Sequence, residues 1–540
     1  MKPVIEHIDI SRDELRELLE RARTALAEED YRKLKAAVDA LSYLTDLVAD
    51  KDTTIRDLRQ LLLPPSTEKT REILKKLGID VNSGSTAAPG TTEPPKTEAE
   101  KPGHGRNGAD EYQGAQKVEV NHEKIKPGDR CPDCYKGKVY EQQEPKRLVR
   151  IVGQAPIAAT VYELQKLRCN LCGEIYTAQA PEGIGEDKYD ETAAAMIVQL
   201  KYGSGLPFYR LEDLEAGLGI PLPASTQWEI VEEAAELIKP AHAELIRQAA
   251  QGEVLHNDDT SMRVLALRRE RSKETDERTG VFTSGVVSTQ GGRKIALFFT
   301  GRKHAGENLA DVLKHRAEEL VRPIQMSDAL SRNAPKSIEL LVANCLAHGR
   351  RKFVEIAPNF PEECRHVLVT VGQVYHHDKQ ARERGLSPEK RLRFHQERSG
   401  PVMRELQVWL EAQLADKKVE PNSGLGKAIQ YMLNHWEPLT LFLREPGAPL
   451  DNNIVERALK KAILHRKNAL FYKTLNGARV GDLFMSLIHT CELNGVNPFE
   501  YLTELQRHSL ELAAKPSEWM PWNYRQMCHQ FMGNSDSGVS

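Results

Sequence analysis

Residues 252–267 read GEVLHNDDTSMRVLAL, and this stretch begins the part of the sequence that decides the fold. Its apolar start predicts a β-strand that runs into an acidic pair. The segments GVFTSGVVST (280–289) and KIALFFTG (294–301) are rich in β-branched and aromatic residues and predict two more strands. Between them, Gln290–Arg293 contain two consecutive glycines, which predict a tight hairpin turn. These residues therefore predict three antiparallel strands.

The segments that follow complete this pattern. Residues 305–316 (AGENLADVLKHR) predict a helix, and residues 323–330 and 338–348 predict further strands. Three antiparallel strands, a helix and another strand give the order of a ribonuclease-H-like fold. We expect this α/β core to occupy residues 251–356 and, after an interruption, residues 447–505.

Helical periodicity surrounds and interrupts the core. We interpret residues 357–446 as an all-helical insertion and residues 506–540 as the tail of a helical C-terminus. In 186–250, a helix containing Tyr209 leads through two glycines to Ser225-Thr226, which we expect to open a second helix. This order suggests a helix-turn-helix-like DNA-binding region, but any helical hairpin looks similar. The predicted fold class is multidomain α+β.

The N-terminal region has the pattern of a coiled coil. Apolar residues recur every seven positions within residues 1–80, which is typical of a helix that pairs along one seam. The repeating positions are Leu34, Leu41, Val48, Ile55 and Leu62. We therefore expect a homo-oligomer, and the alternative is a helix packed on its own chain. Residues 81–116 are poor in large apolar residues and predict a flexible linker.

Two CxxC pairs lie in residues 117–185, where we predict a zinc-binding domain. Cys131 and Cys134 form the first pair, and Cys169 and Cys172 form the second. Four thiolates from two such pairs suit the tetrahedral coordination of one Zn²⁺ ion. A site closed by four cysteines is structural, because no ligand position stays open. The alternatives are a redox function or unpaired thiols.

Composition sets limits on location and partners. The 540 residues are too many for one core, and no apolar run is long enough to span a membrane. The N-terminus lacks the apolar stretch of a signal peptide, so we expect a cytoplasmic protein without membrane contact. A net charge of −3 does not favour nucleic acid, but the segment from Arg457 to Lys473 holds six cations and no acid.

Three carboxylates fall at positions where such a core could bind metal. Asp258 follows the apolar run of the first predicted strand, Asp328 follows the fourth, and Glu456 lies at the start of a helix after Asp451-Asn452-Asn453. Strand cleavage and joining with two Mg²⁺ or Mn²⁺ ions needs oxygen ligands on a rigid frame. Asp259 could replace Asp258, but neighbouring strand residues point to opposite faces, so only one of them can face the metals.

Basic and aromatic residues near these carboxylates are candidates for contact with double-stranded DNA. A solvated helix face is the alternative for the basic residues. They are His348, Arg350, Arg351, Lys352, Arg457, Lys460, Arg466 and Lys467. Trp409 and Trp436 in the insertion could stack on a flipped base, although a tryptophan on such a helix more often belongs to a core.

The segment from Leu450 to Leu502 resembles the C-terminal signature of transposases of the insertion sequence 66 family. The matching motifs are Asp451–Asn453, Glu456-Arg457, Arg466–Asn468, Ser486-Leu487 and Asn494–Pro498. Further similarity lies in Ala347–Phe353, Leu206–Arg210, the two CxxC pairs, the N-terminal zipper and Met520–Asn523. The chain departs from the family where Asp259 replaces a usual Glu and Ala329-Leu330 replace a usual Gly-Tyr.

This resemblance implies a DNA transposase in which Asp258, Asp328 and Glu456 bind the catalytic metals. It implies cleavage at transposon ends and strand transfer into target DNA, and accessory proteins of the same element can take part. Two alternatives stay open: a DNA-binding regulator with an inactive core, and a nuclease without strand transfer.

Overall fold

The structure is a computed structural model that describes residues 187–270, 280–335 and 338–535. Upstream it describes residues 21, 31, 35 and 110 and, in short pieces, residues 117–120, 124–132, 134–142, 147–151, 154–168, 170, 172 and 174–181. Apart from these isolated positions, the predicted coiled coil (1–80) and linker (81–116) lie outside the described residues.

The region of the CxxC pairs contains two short strands. Strands β1 (Lys166–Arg168) and β2 (Ile175–Thr177) pair antiparallel and flank the second cysteine pair in the sequence. At the first pair, the Cys131 amide donates to the Gly137 carbonyl at 2.8 Å and the Tyr135 amide donates to the Cys131 carbonyl at 2.9 Å. These bonds fold the chain into a tight turn around Cys131 and Cys134.

In the described residues from 187 onward, three helices precede the five-stranded sheet. Helix α1 (Glu191–Val198) continues as a π-helix (Gln199–Gly203), and α2 (Phe208–Gly217) and α3 (Ala224–Ala249) follow. The predicted pair of helices is therefore present, but Ser225-Thr226 do not cap the second one. That helix starts at Ala224, whose amide donates to Glu212 Oε2 at 3.2 Å.

Helix α3 is a scaffold for the core. Its apolar residues recur at helical spacing and are buried in the main core of the protein. They are Val231, Ala234, Ala235, Ile238, Ala241, Leu245 and Ala249. The opposite face exposes Glu229 and Glu233, and Glu236 there forms an ion pair with Lys239 at 3.0 Å. DNA contact by this helix pair stays a prediction.

A five-stranded mixed sheet forms the centre of the described chain. Its order is β5-β4-β3-β6-β7, with β3, β4 and β5 antiparallel and with β3, β6 and β7 parallel. The strands are β3 (Val254–Ser261), β4 (Phe282–Gln290), β5 (Arg293–Gly301), β6 (Ile324–Ser327) and β7 (Leu341–Asn344). This is the strand order expected of a ribonuclease-H-like fold.

Local sequence explains where the strands end. Gly291 and Gly292 both have positive φ angles (53° and 85°), which side chains rarely adopt, and Gln290 pairs with Arg293 across this two-residue turn. The first strand is shorter than its apolar pattern predicted, because β3 ends at Ser261 and helix α4 (Leu265–Glu270) begins soon after. Helix α5 (Ala305–Leu313) then connects β5 to β6, as predicted.

The sequence between β7 and residue 450 forms helices around a second core. Helix α6 (Leu346–Ile356) leads into the predicted helical insertion. The insertion helices are α7 (Pro361–Glu383), α8 (Pro388–Ala415), α9 (Gly424–Asn434) and α10 (Trp436–Leu439). Their apolar residues pack with Ile324 and Met326 of β6, so this second core adjoins the sheet. Trp409 and Trp436 are partly buried against the same cluster, which supports a packing function for both.

The C-terminal helices complete the main core. Helix α11 (Asn453–Ala469) crosses β3 and β4, and α12 (Leu475–Leu493) lies along β5. Helices α13 (Pro498–Arg507), α14 (Ser509–Ala514) and α15 (Tyr524–Ser535) follow. Residues 506–540 were expected to form a tail, but Leu512, Trp519 and Tyr524 are buried in the main core. No helix in the described part of the chain is long and apolar enough to cross a membrane.

Helix α12 covers the free edge of strand β5 with one row of polar side chains. Four residues of a helix advance about 6 Å along its axis, and two residues of a strand advance about 6.7 Å. Because these distances are similar, every fourth residue of the helix meets every second residue of the strand. The backbone amides of Thr300, Phe298, Ala296 and Lys294 donate to Asp482 (2.6 Å), Ser486 (3.0 Å), Thr490 (3.1 Å) and Asn494 (3.2 Å). The sheet edge is therefore closed to other strands.

Candidate active site

Two aspartates meet at one edge of the sheet. Asp258 is the fifth of the eight residues of β3, and Asp328 directly follows β6. The last parallel pair of the two strands is His256 with Met326, so Asp258 and Asp328 each lie two residues beyond it. The Nδ2 group of Asn333 donates to Asp258 Oδ1 at 3.3 Å and also to Asp328 Oδ1. One amide therefore contacts both carboxylates that the sequence selected on these strands.

The electrostatics of this pair favour a cation. Burial, and next the negative charge of Asp328, raise the pKa of Asp258 to about 7. Hydrogen bonds from the Asp259 amide and the Asn333 side chain act in the opposite direction but do not compensate. A cation bound beside two carboxylates that are close together and partly desolvated would favour their ionised forms.

Buried amide side chains hold the turn that carries Asn333. Asn257 Nδ2 and Gln325 Nε2 donate to the Asn333 carbonyl at 2.8 and 2.6 Å, and Gln325 Nε2 also donates to Asn257 Oδ1 at 2.9 Å. Asn333 itself is fully buried, and its Oδ1 atom has no hydrogen-bond partner. The turn after β6 is thus fixed against β3, which places Asp328 beside Asp258.

Asp259 belongs to the other face of the sheet. Its Oδ1 accepts a hydrogen bond from Ser284 Oγ at 2.6 Å, and its Oδ2 lies 2.9 Å from His304 Nδ1. Asn308 Nδ2 donates to the same Ser284 hydroxyl at 2.8 Å. The side chain of Asp259 is only 1% exposed. This buried network separates Asp259 from Asp258, as the alternation of strand side chains predicts.

Asn452 fixes the start of helix α11 beside Asp258. Its Nδ2 donates to the Asn257 carbonyl at 3.1 Å, and its Oδ1 lies 3.1 Å from His256 Nδ1. Its backbone amide donates to Cys345 Sγ at 3.3 Å. Asn452 therefore faces the sheet and is buried, whereas Asn453 is exposed. The two asparagines do not share one helix face, because Asn452 precedes the first residue of the helix.

Glu456 lies in the first turn of α11 and faces His348 of α6. Its Oε1 is 3.7 Å from His348 Nδ1, and its side chain is partly exposed. One ligand atom each of Glu456, His348 and Cys345 lies within 4.8 Å of the others. Among the described residues, no hydrogen bond or ion pair joins Glu456 to Asp258 or Asp328. His348 also lines a cavity of about 160 Å³ together with Asp328 and Tyr431.

This set of oxygen donors suits a hard divalent cation. The carboxylates of Asp258 and Asp328 are the ligand type that Mg²⁺ and Mn²⁺ prefer. Burial, and next the charge of Asp328, raise the pKa of Asp258, and a cation bound between the two carboxylates would act in the opposite direction. The buried, soft thiol of Cys345 is a poor ligand for these ions, and burial raises its pKa to about 12. The aspartate pair therefore fits the expected metals better than the cluster around Cys345.

The predicted DNA-contact residues occupy different environments. His348, Arg351 and Lys352 line the cavity beside Asp328, and Lys352 Nζ lies 4.5 Å above the Tyr431 ring. Arg350, one residue away, is only 5% exposed, so this position does not support the predicted phosphate contact. The helix geometry explains the difference, because adjacent helix residues face different directions.

The basic residues of α11 also divide into two groups. Arg457, Lys460 and Lys467 are exposed. Arg466 instead donates to Thr260 Oγ1 at 3.2 Å and to Ser261, at the end of β3. It therefore ties α11 to the strand that carries Asp258.

The cysteine pairs are described in part. Cys131, Cys134 and Cys172 are described and have free thiols, and Cys169 lies outside the described residues. The amide of Gly137 donates to Cys134 Sγ at 3.5 Å, and this and neighbouring backbone amides lower the pKa of the Cys134 thiol. A turn that directs amides at an exposed thiol favours the thiolate, which is the form that binds zinc.

Sequence reasoning did not find Asn333, Tyr431 or the function of Asn452. Asn333 lies in a three-residue turn with no motif of its own, and its position depends on contacts with Asn257 and Gln325. Tyr431 comes from the helical insertion, about 100 residues after Asp328 in the chain. Burial and the charge of Asp328 raise the pKa of Tyr431 to about 12.

A mixed sheet in this order, with Asp258 on β3 and Asp328 directly after the parallel strand β6, is consistent with the class of ribonuclease-H-like enzymes that cut or join nucleic acids. The sequence model of the family described as "Transposase IS66 family" matches residues 188–480, more than half of the chain. The chain belongs to this family. Membership implies DNA transposition by a polynucleotidyl transferase, with DNA binding and the use of divalent metal.

Relatives among curated proteins cover most of the chain. The uncharacterized protein y4jD of Sinorhizobium fredii is 28% identical over 411 residues, which are 74% of this chain and 79% of the relative. The uncharacterized protein y4hP of the same organism is 26% identical over 424 residues, which are 74% of each chain. Their descriptions name no activity.

Proposed function

We propose that this protein is a DNA transposase that cleaves transposon ends and transfers the freed strands into target DNA through Asp258, Asp328 and Glu456. The observation that carries this proposal is the meeting of Asp258, on β3, with Asp328, directly after the parallel strand β6, where the Asn333 side chain contacts both carboxylates. Family membership supplies the reaction class.

The three carboxylates would hold two Mg²⁺ or Mn²⁺ ions. When bound, such ions activate the attacking oxygen and stabilise the leaving oxygen of an in-line phosphoryl transfer. Asp258 lies on a central strand and Asp328 on a turn fixed by buried amides, so their positions are rigid. Glu456 is on a separate helix that Asn452 fixes to β3. In this proposal, β3, the turn after β6 and helix α11 supply one metal-binding carboxylate each.

Basic residues on one side of this site would orient the DNA. His348, Arg351 and Lys352 line the cavity next to Asp328. The exposed cations Arg457 and Lys460 follow Glu456 on α11. Positive side chains that adjoin carboxylates can bind the phosphates flanking the cut bond while the carboxylates hold the metals. The affinity for DNA should therefore fall as the salt concentration rises.

Two further parts of the proposal concern the N-terminal half. Cys131, Cys134, Cys169 and Cys172 would bind one structural Zn²⁺ ion, and the heptad helix within residues 1–80 would join copies of the chain. Accessory proteins of the same element are further candidate partners. The zinc proposal is supported by the turn at Cys131 and Cys134 and by the lowered pKa of Cys134.

A single assay separates the transposase from the alternatives. Purified full-length protein is incubated with labelled DNA that carries the inverted repeats flanking its gene, with target plasmid and with Mg²⁺ or Mn²⁺. A transposase yields both nicked ends and joined products. Nicked ends without joined products indicate a nuclease, and binding without cleavage indicates a regulator. Either of these two results would contradict the proposed function.

A further inference from the structure

A cluster of metal-binding side chains lies among the C-terminal helices, outside the candidate active site. Glu504 lies on α13, and His508 directly follows the last residue of this helix. The two residues are four positions apart, so their side chains share one face. Cys528 of α15 completes the cluster. His508 Nε2 and Cys528 Sγ each lie 3.6 Å from Glu504 Oε2, and one ligand atom of each residue lies within 4.8 Å of the others.

These distances suit coordination of a small ion. Ligand bonds of about 2.0–2.3 Å in a tetrahedral zinc site separate neighbouring ligand atoms by roughly 3.3–3.8 Å. The two distances of 3.6 Å fall in this range. We propose that Glu504, His508 and Cys528 form a Zn²⁺ site that fastens helix α15 to helix α13.

A fourth residue supports this assignment. His508 Nδ1 faces Glu511 Oε2 at 3.9 Å, on the side of the ring opposite Nε2. A histidine that ligates zinc commonly directs its other ring nitrogen at a carboxylate, which fixes the ring and strengthens the ligand. Glu504 Oε1 is held separately by Arg507 Nη1 at 2.9 Å, so Oε2 is the oxygen that faces the cluster. The set contains one nitrogen, one sulfur and one oxygen ligand, and water can take the fourth position.

The proton balance of binding follows from the state of the thiol. Burial, and next the charge of Glu504, raise the pKa of Cys528 to about 11, so without metal the thiol is protonated and donates to Glu504. Binding of Zn²⁺ replaces this proton, which leaves to solvent, and forms a zinc–thiolate bond. The thiolate and the carboxylate together neutralise the charge of the ion. Affinity should therefore increase with pH.

The test measures the reactivity of Cys528 in the full-length protein with Zn²⁺ alone as the probe. Protein freed of metal with a chelator is titrated with Zn²⁺, treated briefly with an alkylating reagent and analysed by peptide mass spectrometry. We expect Zn²⁺ to slow alkylation of Cys528 by about tenfold or more, because a metal-bound thiolate is not available to the reagent. Glu511→Gln should raise the Zn²⁺ concentration needed for half protection by about tenfold. Loss of a direct ligand in His508→Gln should raise it further.

Matched controls make the result specific to this cluster. His529→Gln changes an exposed histidine next to Cys528 and should leave protection unchanged. Cys491, which is buried in α12, reports general stabilisation and should not respond to Zn²⁺. Equal protection in His508→Gln and wild-type protein, equal protection of Cys491 and Cys528, or no protection in the wild type would each overturn the proposal. Because the readout is confined to Cys528, it is independent of transposition and of the N-terminal cysteines.

Discussion

Adjacent aspartates on β3 should respond to the same substitution with opposite changes in stability. In protein kept free of metal by a chelator, Asp258→Asn should stabilise the core at pH 8 and Asp259→Asn should destabilise it. The reason is that Asp258 is largely buried and lies next to the negative charge of Asp328, whereas Asp259 is buried between Ser284 and His304.

The magnitude follows from the raised pKa of Asp258. Because folded Asp258 binds its proton more tightly than the unfolded chain does, its protonation stabilises the fold at low pH. This contribution is lost as the pH rises from about 4 to about 7. A difference of about three pKa units corresponds to at most about 4 kcal/mol at pH 8, and Asn removes this penalty. Loss of the buried hydrogen bonds in Asp259→Asn should cost about 1–3 kcal/mol.

Thermal unfolding at pH 5 and pH 8 measures both effects. For a domain of this size, 1 kcal/mol corresponds to about 2–4 °C in Tm. The Tm of Asp258→Asn should exceed that of the wild type at pH 8, and this difference should be smaller at pH 5. Added Mg²⁺ should raise the Tm of the wild type but not that of Asp258→Asn. Burial also raises the pKa of Asp482 to about 7, but this group is common to all three proteins and cancels in the differences. A lower Tm for Asp258→Asn at pH 8, or changes of the same sign for both variants, would refute this reasoning.

Substitutions in three other regions test the sheet edge, the cysteine site and the N-terminal helix. Ser486→Ala should lower stability by about 1–3 kcal/mol, measured as a lower Tm, because the buried Phe298 amide loses its acceptor; an unchanged Tm would contradict the role of α12 at the sheet edge. Cys131→Ser should reduce the zinc content measured by elemental analysis, and wild-type protein without zinc would argue against the predicted Cys₄ site. Charged residues in place of Leu41 and Ile55 should reduce the mass measured by light scattering; an unchanged mass would mean that this helix packs elsewhere.

The sheet could be predicted because its strands carry strong local signals. The double glycine specified the β4–β5 hairpin, and the alternation of side chains along a strand was enough to separate Asp258 from Asp259. Asp328 was predicted to follow a strand because it comes directly after an apolar run. The parallel pairing of that strand, β6, with β3 then brings Asp328 beside Asp258. Such features depend on short stretches of chain, and this is why they could be predicted.

The features that sequence reasoning missed depend on contacts between distant segments. Asn333 meets both aspartates only because Asn257 and Gln325 hold its turn. The burial of Arg350, next to the cavity-lining Arg351, reflects how α6 packs and is not visible in a run of basic residues.

The polar row of α12 shows the same limit in another form. Asp482, Ser486, Thr490 and Asn494 recur every four residues on an otherwise apolar helix, so a polar stripe could be predicted. That stripe usually faces solvent. Here it faces the backbone of β5, and only the tertiary fold reveals this.

Whether Asp258, Asp328 and Glu456 hold the catalytic metals is tested by strand cleavage and transfer with variants that keep side-chain size but lose one charge. Asp258→Asn, Asp328→Asn and Glu456→Gln should each abolish both products with labelled ends in Mg²⁺ or Mn²⁺, while binding of the same DNA stays nearly intact. Asp311→Asn, which removes an acidic charge from the exposed side of α5, should stay active. Full activity of Glu456→Gln alone would move the third ligand to another residue, such as Asp451. Full activity of all three variants would contradict the claim.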